Sequence, residues 1–86
     1  MTYSVEINRT ARKALDKTPA PYKSRIEDVI EDLGDNPRPH GCVKLETSDL
    51  YRIRVGDYRV VYSVDDRIRI VSITAIGNRR QIYKEL

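Results

Sequence analysis

The chain has 86 residues, a net charge of +3, and 34% charged against 40% hydrophobic side chains. That length suits one domain with a modest core, and no apolar run is long enough to cross a bilayer. The N-terminal MTYSVEINRTARK lacks the apolar stretch of a signal peptide. A single cysteine, Cys42, excludes an internal disulfide and fits a reducing cytoplasm, and with one histidine it leaves no zinc-type ligand set.

The charge is uneven along the chain. Residues 1–42 carry seven basic and seven acidic side chains, while residues 43–86 carry nine and six, so the second half holds the whole excess of +3. Eleven arginines stand against five lysines. Arginine's planar fork favours bidentate contacts with oxyanions over a diffuse positive field, so a polyanion is the natural partner.

Taken in order, Tyr3 to Ile7 alternates and predicts a strand with Tyr3, Val5 and Ile7 inward. Asn8 suits the N-cap of a helix from about Arg9 to Lys17, buried through Ala11 and Leu15. Pro19 and Pro21 break it. A second helix starts near Pro21, with Tyr22, Ile26, Val29, Ile30 and Leu33 as its apolar stripe and Gly34 as its C-terminal cap. Glu27, Asp28, Glu31 and Asp32 form a solvated outer face, since no histidine or further acidic motif joins them as a metal or acid–base set. The two helices make an αα-hairpin.

Asp35 to Gly41 is a loop dense in Pro, Gly and Asn. Its His40 reads as a surface residue. Cys42 reads as a small packing residue, since nothing near it in sequence would lower its pKa. A short strand over Val43 to Glu46 follows, then a turn near 47–49.

Leu50 to Ser63, LYRIRVGDYRVVYS, predicts a β-hairpin closed by Gly56-Asp57. Pairing Val55 with Tyr58 sets Arg54 opposite Arg59, Ile53 opposite Val60, Arg52 opposite Val61 and Tyr51 opposite Tyr62. Side chains alternate between faces, so Tyr51, Ile53, Val55, Tyr58, Val60 and Tyr62 face the core. Arg52, Arg54 and Arg59 share the other face. Like charges directly opposite one another destabilise a strand pair. The trio is therefore either a solvated sheet face or a phosphate site.

Asp65-Asp66 turns the chain into a last strand, Arg67 to Ile76, whose apolar parity changes in mid-strand. Cover on both faces or a bulge would each explain the change. Residues 79–86, RRQIYKEL, form a short helix or remain mobile. Strand, two helices and a run of tightly connected strands predict an α+β domain spanning residues 1–86. It is a small antiparallel sheet with the helices on one face and the arginine face left partly open as a groove.

The segments NPRPHG, LYRIRVGDYRVVYSVDD and IGNRRQIY, in this order, resemble the RelE/ParE toxin superfamily over nearly the whole chain. The C-terminal Arg and Tyr tilt the likeness to its RelE-like branch. The resemblance implies the toxin of a type II toxin–antitoxin system: a ribosome-dependent, metal-independent endoribonuclease that cleaves mRNA in the ribosomal A site. The RNA's own 2′-hydroxyl attacks the adjacent phosphate, leaving a 2′,3′-cyclic phosphate. It implies no cofactor, a cognate antitoxin as partner, contact with 16S rRNA, and operator DNA reached only through the antitoxin.

Position by position, the resemblance assigns catalysis to Arg54, Arg59, Arg79 and Tyr83. Arg59 would hold non-bridging phosphate oxygens, and Arg79 would either stabilise charge or help protonate the leaving oxygen. Tyr83 would be the base, its phenol lowered from about 10 by nearby cations. Arg52, Lys44, Arg80 and Lys84 would contact RNA phosphates, with Arg67 and Arg69 as weaker candidates. Asn78 stands where many relatives have His, so proton transfer must rely on other groups. Two other functions share the fold, a ParE-like inhibitor of DNA gyrase and a non-catalytic, antitoxin-binding corepressor.

Overall fold

The computed structural model describes residues 2–46 and 48–78. Their elements run β1 (Ser4–Ile7), α1 (Arg9–Lys17), α2 (Tyr22–Asp35), β2 (Val43–Lys44), β3 (Tyr51–Val55), β4 (Tyr58–Asp65) and β5 (Ile70–Asn78). They build one five-stranded sheet of order β1-β5-β4-β3-β2 with both helices on one face. The α+β architecture is the one expected from the sequence.

Local chemistry explains most boundaries. The Asn8 side chain accepts a hydrogen bond from the Ala11 amide at 2.8 Å, capping α1. The N-cap side chain thereby satisfies one of the first-turn amides, which have no partner within the helix. Asn8 also ties that cap to the sheet, its Nδ2 donating to the Thr74 carbonyl at 3.0 Å. Gly34, expected as the stop of α2, instead lies inside it. The helix runs to Asp35 with Asn36 as its C-cap. The Gly34 carbonyl accepts the Tyr3 amide at 2.8 Å, docking the start of β1 against the end of α2.

The β3–β4 register matches the sequence pattern at every rung, from Tyr51 opposite Tyr62 to Val55 opposite Tyr58. Gly56 has φ +60 and Asp57 is not in the positive region, which is the signature of a type II′ turn. A Cβ on Gly56 would lie 3.0 Å from the Tyr22 ring. That ring also packs against Tyr58 at 5.1 Å between centroids, so the turn is seated against the first residue of α2.

Three expectations are corrected. The sheet is mixed, because β1 pairs parallel with β5, from Ser4 beside Ile70 to Ile7 beside Ile73. The helical hairpin carries the chain from that edge to the opposite edge, so β1 cannot pair with its successor. The strand at Val43 stops at Lys44. The last strand starts at Ile70, not Arg67: Ile68 lies in the preceding turn, 63% exposed, and Arg69 takes a left-handed φ of 55. Asp65 Oδ1 organises that turn by accepting the amides of Arg67 at 3.0 Å and Ile68 at 3.3 Å.

A bulge is present too. Val61 pairs with Ala75 but Tyr62 with Ile73, leaving Thr74 as the extra residue. Its hydroxyl donates to the Val61 carbonyl at 3.1 Å. The bulge shifts the inward set from Val71 and Ile73 to Ile76, which keeps both halves of a long strand facing the helices.

The core between sheet and helices comprises Ala11, Leu15, Ile26, Ile30 and Leu33 from the helices. Val55, Val60, Tyr62, Val71, Ile73 and Ile76 meet them from the sheet. Burying an aliphatic side chain of this size contributes about 1.5–3 kcal/mol. Tyr62 is fully buried, its hydroxyl donating to the Pro37 carbonyl at 2.8 Å, and burial pushes its phenol pKa up.

Candidate active site

Strand parity assembles the arginine face. Arg54 and Arg59 are direct cross-strand partners, and Gly77 of β5 lies on the far side of Arg59. Opposed residues of such a pair have Cβ atoms about 5 Å apart, so two guanidiniums rise from one rung. Gly77 places no side chain beside them. The next rung holds Arg52, opposite Val61, which faces Ala75 in turn.

The face is less open than expected. Val61 and Ala75 are buried there in a second, smaller apolar cluster with Leu45 and Leu50 packed against it. Its cause is the segment after β2, which folds back through a hydrogen bond from the Leu45 amide to the Leu50 carbonyl at 2.9 Å. The arginines therefore stand beside an apolar shelf and not in a wide polar groove.

Their environments differ. Arg54 is exposed, Arg52 is half-buried and Arg59 is only 5% exposed. Arg59 Nη1 donates to the Tyr58 carbonyl at 3.4 Å, and its Nε has no hydrogen-bond partner among the described residues. Nor does Arg54 or Arg59 have an acidic partner in any ion pair among them. Burying a cation with unmet donors is costly. An oxyanion with two or three oxygens is the ligand that relieves it, and the guanidinium fork fits phosphate.

Lys44 is not brought to this face. It pairs with Tyr51, so register places it with the helix-side residues at the β2 edge, while Val43 shares the rung and face of Arg52. Arg67 and Arg69 are exposed in the β4–β5 turn. Arg79, Arg80, Tyr83 and Lys84 lie outside the described residues. Asn78, the last residue described, ends β5 opposite Tyr58. On the helix side it borders a cleft of about 350 Å³, rimmed by Lys13, Lys17 and Thr18 and floored by Tyr58 and Ile76. The described part of β5 thus extends one residue beyond the Arg59 rung.

One functional-looking side chain escaped the sequence reading. Arg38, held between Pro37 and Pro39, donates to both carboxylate oxygens of Asp66 at 3.1 and 2.8 Å and to the Tyr51 hydroxyl at 3.0 Å. Tyr3 donates to the same carboxylate at 2.6 Å. Arg38 also lies over the Tyr51 ring, 5.3 Å from its centre, and Tyr51 stacks on Tyr62 at 5.7 Å. Asp66 is accordingly held at about 2, chiefly by the Arg38 hydrogen bonds, while Arg38 and the Tyr3 phenol are raised through Asp66. This network joins the loop after α2, the β4–β5 turn and the N-terminal segment. Its only signal in the sequence was a lone cation between two stiffening prolines. His40 is exposed, as are Glu27, Asp28, Glu31 and Asp32.

The model of the ParE toxin of the type II toxin–antitoxin system parDE matches residues 5–83. The chain belongs to the RelE/ParE toxin superfamily. Within it the RelE-like branch is the nearer. Toxin RelE of Mycobacterium tuberculosis is 34% identical over 95% of this chain and 87% of its own length. The crystal structure of an archaeal RelE–RelB complex from Pyrococcus horikoshii superposes with a TM-score of 0.83. It is 36% identical over 92% of this chain and 97% of that one. The toxin–antitoxin complex RelBE2 from Mycobacterium tuberculosis gives 0.81, with 27% identity over 92% of this RelE-like chain and 100% of the other.

Proposed function

We propose that this RelE-like toxin is a ribosome-dependent, metal-independent endoribonuclease that cleaves mRNA in the A site. The observation carrying the proposal is the buried Arg59 guanidinium with an unmet Nε donor, paired across the hairpin with Arg54 and facing Gly77. Strand scission by internal attack needs a base for the 2′-hydroxyl, charge stabilisation on the phosphorane and an acid for the leaving 5′-oxygen. Arg59 binds the non-bridging oxygens. Arg54 adds charge stabilisation from the same rung, and Arg52 holds the neighbouring backbone.

Arg79 and Tyr83 follow two and six residues after Gly77 in sequence; Arg79 is assigned to stabilise charge at the leaving 5′-oxygen and to protonate it, and Tyr83 to accept the 2′-hydroxyl proton. Arg80, Lys84 and, from the β2 edge, Lys44 contact flanking phosphates of mRNA or 16S rRNA. The protein works in the cytoplasm and is silenced by a cognate antitoxin, through which alone it meets operator DNA. Support for that partner is the presence of RelE–RelB and RelBE2 complexes among its structural relatives.

The test is primer extension on a translated message after inducing this chain alone. Strong stops inside ribosome-occupied codons, absent with Arg59→Ala, are expected. Unbroken message with normal expression would overturn the reading. The parDE description of the matching family model favours a second reading, gyrase inhibition. That reading predicts blocked supercoiling by purified gyrase with translation intact.

A further inference from the structure

Helix α1 sets two like charges beside one cleft. Lys13 and Lys17 stand four residues apart and so share a face of the helix. Like charges at that spacing destabilise a helix slightly. Neither lysine has an acidic partner among the described residues. Asp16, three residues after Lys13, lies 4.0 Å from Lys23 Nζ instead. A cation in the last turn complements the helix dipole, which accounts for Lys17 alone. The last carbonyls do not need it. The Thr18 hydroxyl donates to the Ala14 carbonyl at 2.8 Å, and the Thr18 amide to the Leu15 carbonyl at 3.1 Å. Lys13, in mid-helix, has no such account.

Both lysines and Thr10 line one wall of the cleft of about 350 Å³ between α1 and the end of the β4–β5 ladder. Half-buried Tyr58 and Ile76, a core residue, form its floor. Tyr22 braces the Tyr58 ring at 5.1 Å between centroids, so the floor is preformed. No acidic residue lines the cleft among the described residues. The result is a cationic wall over an aromatic and aliphatic floor. Small-molecule sites run from about 300 to 1,000 Å³, so this one suits a single nucleotide. Arg54 and Arg59 project from the other face of the sheet.

We propose that this cleft binds a nucleoside monophosphate, either free or as the phosphorylated 5′ end of an RNA. A terminal phosphate carries close to two negative charges and three acceptor oxygens. Lysine binds phosphate as a point charge, and two long stems rooted about 5–6 Å apart can meet on one such group. The Thr10 hydroxyl, one turn before Lys13, donates to a third oxygen. The base lies on Tyr58 and Ile76, a contact that tolerates any base because each has a π face. The scission proposed at the arginine face leaves a cyclic phosphate, so a terminal monoester is not its product. The site does not rest on the nuclease reading.

The probe is uridine 5′-monophosphate, titrated into the ¹⁵N-labelled full chain. Amide shifts confined to Thr10–Thr18, Tyr58 and Asn78 are expected, saturating with a Kd of about 0.1–1 mM. Inorganic phosphate alone shifts Thr10, Lys13 and Lys17 but leaves Tyr58 in place. Lys13→Gln with Lys17→Gln weakens the nucleotide about tenfold or more, and so does removing its phosphate, with uridine as the ligand. The uridine comparison decides the matter if circular dichroism finds the double variant unfolded. A 5′-phosphorylated trinucleotide that binds more tightly than the mononucleotide assigns the site to an RNA end; equal or weaker binding assigns it to the free nucleotide. Four results would overturn the proposal: no shifts at about 10 mM nucleotide; shifts centred on Arg52, Arg54 and Arg59, which would leave the nuclease reading standing; undiminished binding by the folded double variant; or equal binding of succinate, a dianion with no base or phosphate.

Discussion

Arg59 shows what burial does to a cation that keeps one donor, Nε, unmet. Its guanidinium is nearly sequestered, yet its Nε finds no acceptor among the described residues. A side chain whose only role was to fill the sheet would be apolar, like Val61 two residues on. Arg59→Ala should lower A-site cleavage by about 10²–10³-fold. Arg59→Lys should recover only part of that, since it keeps the charge without the fork. Counting cleaved message against reverse-transcribed full length measures both. Asp66 makes the opposite case, a charge fully matched but at the surface. Its carboxyl is held at about 2 in the folded chain against an ordinary 3.8. In that interval the unfolded chain takes up a proton more readily. The network's contribution is thus complete above about pH 4 and fades as the pH falls towards 2. Chemical denaturation across that range should show the slope in the native chain and a flatter profile in Asp66→Asn. Because the side chains of Arg38 and Asp66 are 41% and 55% exposed, added salt should shrink the difference.

Elements were legible wherever one local signal sufficed. Asn8 before an apolar i, i+4 pair marked the first helix, and its cap bond at 2.8 Å bears that out. Asn8→Ala removes this bond and the tie to Thr74, and should cost about 1–2 kcal/mol in a urea melt. The Gly56-Asp57 pair fixed the hairpin register rung by rung. Gly56→Ala needs a left-handed alanine and pushes a methyl to within 3.0 Å of the Tyr22 ring. A loss of about 1–3 kcal/mol is expected, read by thermal melting, with Tyr22→Ala in the same chain recovering the steric share. Signals failed where tertiary contacts overrode them. Gly34 looked like a stop, but its carbonyl is claimed by Tyr3 and the helix continues past it. The parity change near Ile70 was visible in the letters. Its physical origin was not: a turn that takes up Ile68 and, further on, a bulge at Thr74 require knowing the neighbouring strand.

At the scale of the molecule, the sequence spoke clearly about which face is core and poorly about what else lies on the outer face. The alternation from Tyr51 to Tyr62 assigned the helix side correctly, and Arg52, Arg54 and Arg59 do share the other. The shelf of Leu45, Leu50, Val61 and Ala75 beside them could not be foreseen, because a leucine outside any regular strand carries no parity. Lys44 illustrates the same limit: close to the arginines in sequence, it is turned to the opposite side by its rung with Tyr51. Mixed pairing was equally hidden, since nothing in β1 specifies that its partner lies more than sixty residues away. That pairing has a consequence for how the protein comes into being. β1 has its place in the sheet only beside β5, so the domain cannot close until β5 has been synthesised. A protein whose proposed target is the translating ribosome is thereby denied its finished shape until β5 has been made.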